Sequence, residues 1–129
     1  MKYYNSKIVA GTTIVALRTK VEEELKKQGF GVLTEIDLQA IMKKKLDKEY
    51  LPHIILGACN PEYADKVLSI EHTISTMLPC NVTLRELSNG DIEIAMIAPS
   101  VAMGAVGNAA LEKAANEVQE KLITVLNNI

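Results

Sequence analysis

The stretch from Cys80 to Ala98 constrains the fold more than any other part of the chain. Cys80 to Leu87 alternates, with Val82 and Leu84 facing one way and Thr83 and Arg85 the other. Asp91 to Ala98 alternates as well, with Ile92, Ile94, Met96 and Ala98 in phase. Period-two alternation is the mark of a strand with one buried face, and two such runs joined by Ser88-Asn89-Gly90 pair antiparallel. A two-residue Asn-Gly turn would set Glu86 against Glu93, which repels, and would mix the two faces. A three-residue loop with Gly90 left-handed in a bulge pairs Arg85 with Glu93 instead. It also gathers Val82, Leu84, Ile92, Ile94 and Met96 on one face.

The chain ahead of this hairpin supplies three more strands. Tyr3 to Ala10 reads as the first, and Gly11 breaks it. Thr12 or Thr13 then caps an amphipathic helix with Ile14, Leu17, Val21 and Leu25 at spacings of three and four. Glu22, Glu23, Lys26 and Lys27 form its wet face, and Gly29 stops it. Phe30 to Ile36 is the second strand. Asp37 caps a short helix through Leu46, with Leu38, Ile41, Met42 and Leu46 on one side. Lys43-Lys44-Lys45 reads as a solvated helix face, because three lysines are few for phosphate binding.

Leu51 to Ala58 is a continuous apolar run, the pattern of a strand buried on both faces. Asn60-Pro61-Glu62 follows and starts a helix to about Leu68: Asn suits the cap, Pro the first helical position and Glu the first turn. A long final helix begins between Ser100 and Asn108, with Leu111, Ala114, Ala115, Val118, Leu122, Val125 and Leu126 as its apolar stripe.

The fold class is therefore α+β, one domain over residues 1–129, with a mainly antiparallel sheet. Its simplest form is a meander of the last four strands, the first strand at an edge, and helices one and four over one face. If the third and fourth strands are antiparallel neighbours, Cys59 and Cys80 meet at one end of the sheet. Residues 61–79 become an excursion over that end.

Composition limits the function classes. A net charge of -2 leaves no cationic excess to track phosphates, and aromatic residues at 4% are too few for base stacking. Nucleic acid is not an expected partner. The segment from Met1 to Ser6 shows no apolar signal-peptide region, and the apolar stretch from Ile92 to Val106 is too short to span a bilayer. No membrane partner and a cytoplasmic location are the expectations, with both cysteines reduced.

Three segments carry a resemblance: Gly29-Phe30-Gly31-Val32-Leu33-Thr34-Glu35-Ile36-Asp37, Ile55-Leu56-Gly57-Ala58-Cys59-Asn60-Pro61, and Leu78-Pro79-Cys80-Asn81-Val82. In this order, with Ala98-Pro99 and Gly107-Asn108 after them, they resemble the signature segments of the domain-of-unknown-function 302 family. The resemblance implies a TATA-binding-protein-like α+β fold: a strand-helix-four-strand-helix core, here with two short inserted helices. It implies no activity, because function lives in sites rather than folds.

The candidate ligand site is Cys59, Asn60, Cys80 and Asn81. Cys59 precedes a strong helix start, where exposed amides and the helix dipole favour a thiolate or an anion. Cys80 shares parity with Val82 and points to the core. Asn60 reads as a helix cap, and Asn81 as a bond to exposed backbone, so the two Cys-Asn pairs also form a structural clasp. Tyr63, one turn into the helix, packs or lines a pocket. No cofactor is expected. Zinc on Cys59, Cys80 and His72 is the weaker alternative, since a fourth ligand is missing and His53 lies at the far end of its strand. A Cys59–Cys80 disulfide would need Cα atoms within about 7 Å. Three functions remain open: a small-ligand binder, a thiol redox or transfer enzyme with Cys59 attacking and Cys80 resolving, and a homodimeric assembly module. An exposed edge strand and a mean hydropathy of +0.11 favour self-association.

Overall fold

The computed structural model describes residues 2–129; Met1, the first residue of the segment read for a signal peptide, lies outside them. Five strands form one antiparallel sheet: β1 (Tyr4–Val9), β2 (Gly31–Asp37), β3 (His53–Cys59), β4 (Cys80–Glu86) and β5 (Ile92–Ile97). Their spatial order is β1-β5-β4-β3-β2, a meander of the last four strands with the first beside the last.

The register of the hairpin follows the charges. Arg85 sits opposite Glu93, and its Nε donates to Glu93 Oε1 at 2.7 Å. Gly90 takes φ 90° and closes the three-residue loop, its amide donating to the Leu87 carbonyl at 2.9 Å. Val82, Leu84, Ile92, Ile94 and Met96 are all buried on one face, as alternation requires.

Two helices cover that face. α1 (Ile14–Lys27) begins at Thr13, whose hydroxyl accepts from the Ala16 amide. It ends in a Schellman motif at Gly29, φ 85°: the Gly29 amide donates to Lys26 O and the Phe30 amide to Leu25 O. The last helix, α5 (Ala109–Asn127), is capped by Asn108, which accepts from the Ala110 and Leu111 amides. Leu17, Val21 and Leu25 of α1 and Val118, Leu122, Val125 and Leu126 of α5 share one buried cluster with the sheet.

Between these lie α2 (Leu38–Leu46), α3 (Pro61–Ile70), a 3₁₀ turn (His72–Met77) and α4 (Pro99–Gly104). The last two depart from the reading of the sequence. The excursion holds a second helical piece, anchored by buried Ile74. The C-terminal region is two helices, divided at Gly107 with φ 75°. Val67, Ile74, Met103, Leu111, Ala114 and Ala115 form a second buried cluster beyond the sheet end. No residue of α2 is buried, and its Leu46 is 60% exposed.

β3 was expected to be buried on both faces. Leu56, Gly57 and Ala58 are buried, whereas His53, Ile54 and Ile55 are half-buried. Gly57 explains the buried part. A Cβ there would come within 2.2 Å of Thr34 Oγ1 and 2.7 Å of Pro79 Cγ, so only a glycine lets the Pro79 ring lie against the strand.

Candidate functional site

β3 and β4 are antiparallel neighbours, and Ala58 stands opposite Cys80. The last residue of one strand and the first of the other therefore share one end of the sheet. Cys59 and Cys80 both line a partly open cavity there, walled by Phe30, Tyr63, Leu78 and Pro79 and by Met103 of α4 and Val118 of α5. Its free space is about 30 Å³, measured as room for the centre of a water molecule. One water needs about 10–15 Å³ by that measure, so the enclosed part of the cavity holds an occupant of a few heavy atoms. Nearly all of the lining is apolar, and Cys59 and Cys80 are its thiol-bearing residues.

The two thiols are unequal. Cys80 is buried at 9% exposure, while Cys59 is half-buried; both are free. Burial, and secondarily the charge of Cys59, pushes the Cys80 thiol up to about 11. Cys80 is thus a neutral thiol at neutral pH. Cys59 is the more accessible of the two thiols.

Asn60 does not act as a side-chain cap. It occupies the position before α3, and its carbonyl accepts from the Ala64 amide, but its side chain makes no capping bond to the helix. Instead Nδ2 donates to the Gln28 carbonyl at the end of α1, at 3.2 Å. Gly29 permits this approach, since a Cβ there would lie 3.0 Å from Asn60 Nδ2. Asn60 thereby ties the end of β3 to the end of α1 and holds one wall of the cavity.

Asn81 is not part of this site. It is exposed, stands opposite Gly57, and lines a groove on the other face with His53, Thr83, Arg85 and Glu93. Within β4, alternation turns Asn81 to the face opposite Cys80, whereas Cys59, at the very end of β3, still borders the cavity. His72 does not join the cysteines either: it is exposed at the start of the 3₁₀ turn and outside the cavity lining. Among the described residues, no group of three His, Cys, Asp or Glu side chains is placed to hold a metal ion. His53 lies at the far end of β3 opposite Arg85, and burial lowers its pKa.

Several cavity residues escaped the reading of the sequence. Phe30 is the residue after the helix-stopping Gly29, and Met103 belongs to the short α4. Ala98-Pro99, with Pro in the first helical position, was a usable signal for α4. Tyr63 does line the cavity. Its ring carries Lys66 Nζ at 4.8 Å, and a hydrogen bond to Glu117 raises its hydroxyl pKa.

The family model described as "Domain of unknown function DUF302" matches residues 7–129. The chain belongs to the DUF302 family. It is similar to the crystal structure of an uncharacterized conserved DUF302 protein from Bacillus stearothermophilus, at 27% identity and a TM-score of 0.92. That likeness covers 99% of this chain and 98% of the other. No curated protein matches the sequence. The strand-helix-four-strand-helix order of this DUF302 chain is thus the order of a fold shared over its whole length. Among the described residues, no helix is long and apolar enough to cross a membrane.

Proposed function

We propose that this chain binds a small apolar or thiol-reactive molecule in the cavity between Cys59 and Cys80. One observation carries the reading: a partly open, apolar cavity whose lining includes two cysteines with free thiols. Apolar walls with few polar groups are the usual make-up of ligand cavities. The small enclosed volume holds an occupant of a few heavy atoms. The half-buried Cys59 contacts it, and Cys80 forms part of the floor. Two unbridged thiols suit a reducing compartment such as the cytoplasm. The TATA-binding-protein-like label that the family resemblance brings is one of fold, and carries no DNA binding with it.

Thiol exchange, with Cys59 attacking and Cys80 resolving, is the second reading. Proximity favours it, since the charge of Cys59 is felt at Cys80. The thiol at about 11 works against it, because the thiolate is the resolving species and is scarce at neutral pH. Binding is therefore the better supported of the two.

Methyl methanethiosulfonate tests this directly. The Cys59 thiolate attacks its sulfenyl sulfur, forms a methyl disulfide and releases methanesulfinate. Intact-mass measurement of native protein at neutral pH should show one adduct, absent from C59S and retained in C80S. No adduct before unfolding would refute a ligand-accessible cavity. Two adducts formed at equal rates would refute the inequality of the thiols.

A further inference from the structure

The face of the sheet turned away from α1 and α5 is unusual in charge. Residues directly opposite one another share a face, so the pairings define its members. Across the middle run Ile36, Ile55, Thr83, Ala95 and Ser6. Among strand residues on this face only Arg85 and Glu93 carry charge, and they pair with each other at 2.7 Å. His53 beside them has its pKa lowered by burial and by Arg85. A sheet face that stays in water normally alternates to polar and charged side chains. This one has neutral polar residues, Ser6, Thr34, Asn81 and Thr83, between Ile8 and Ile36 on the two edge strands, exposed at 57% and 41%.

The geometry points to this face as the contact between two copies of the chain. Five strands about 4.8 Å apart, each rising about 3.3 Å per residue, present roughly 500 Å² per copy. Two copies packed face to face bury at most roughly 1,000 Å², since Pro79 already covers the face at Gly57, and this area is close to the lower limit for a specific dimer. Charge supports a second copy over an unlike partner. Arg85 uses Nε for Glu93, and among the described residues its terminal nitrogens have no hydrogen-bond partner. The carboxylate available on a facing copy is Glu93 itself, so a two-fold contact matches each charge with its opposite. Face-to-face packing also replaces the edge pairing expected from the sequence. The edge strand β2 is interrupted by a bulge between Val32 and Thr34, a feature that blunts edge-to-edge association.

Sedimentation velocity from low to high micromolar concentration tests the assignment. The wild-type chain should approach twice 14.1 kDa at the upper end. Thr83→Arg places a cation at the centre of the face on both copies and should raise the dimer dissociation constant about tenfold or more. Val15→Arg, on α1 at 78% exposure and away from the face, should leave it unchanged. Circular dichroism verifies folding, and Ser6→Arg on β1 replaces Thr83→Arg if that variant unfolds. A wild-type chain that stays monomeric throughout overturns the proposal. So does a dimer that both face variants leave intact.

Discussion

Cys80 and Asn81 are consecutive residues, yet they belong to different surfaces. Cys80 borders a partly open apolar cavity beneath the helices, and Asn81 lines a groove on the side of the sheet away from α1 and α5. The cavity offers about 30 Å³ and two cysteines; the groove offers about 430 Å³ and an Arg–Glu pair. The difference teaches that a contiguous motif on a strand is not one site. On one side the side chains close a packed interior; on the other they line a grooved face whose strand charges are one Arg–Glu pair.

Substitutions at neighbouring positions of β3 break this comparison most sharply. Leu56 is fully buried beneath the helices, and Leu56→Ala should cost about 2–5 kcal/mol by urea unfolding. Ile55 is half-buried on the other face, and Ile55→Ala should cost about 1 kcal/mol or less in the monomer. Equal losses would show that both faces are interior.

A pH dependence sharpens the cavity side. The Cys80 thiol rises from an ordinary 9.0 to about 11 in the folded state. Between those values the folded chain holds a proton that the unfolded chain releases. Stability from this group is therefore complete below pH 9 and falls as pH rises towards 11, by about 2–3 kcal/mol in all. Unfolding free energies of wild type and Cys80→Ala across that window check it, since the variant should lose this part of the slope.

The two asparagines give the smaller effects. Asn60→Ala removes the bond to the Gln28 carbonyl and should cost about 1 kcal/mol, with faster methylthiolation of Cys59 as the wall loosens. Asn81→Ala, on the exposed face, should change stability by about 0.5 kcal/mol or less and leave Cys59 labelling alone. Thermal unfolding and intact-mass labelling of both variants read the contrast.

Much of this arrangement was legible in local patterns. Alternation and the Glu86–Glu93 clash determined the register of β4 and β5, and antiparallel direction placed Cys59 beside Cys80. The same alternation separates Cys80 from Asn81, a signal present in the sequence but outweighed by the repeated Cys-Asn pair. Other features were not local. The Asn60–Gln28 bond joins residues far apart in the chain, so cap propensity alone pointed to the wrong partner. The 3₁₀ turn and α4 are six residues each, too short for a helical period to show. The need for glycine at position 57 depends on Thr34 and Pro79, which only the folded sheet brings there.

Size-dependent labelling of Cys59 in the native state tests the central claim most directly. Rates with methyl methanethiosulfonate and with the bulky 5,5′-dithiobis(2-nitrobenzoic acid) are each compared with those of a free thiol. The cavity predicts that Cys59 reacts with the methyl reagent and is strongly protected from the aromatic one, while Cys80 stays silent to both. Cys59 reacting with both at free-thiol rates would make it a surface thiol with no binding cavity behind it.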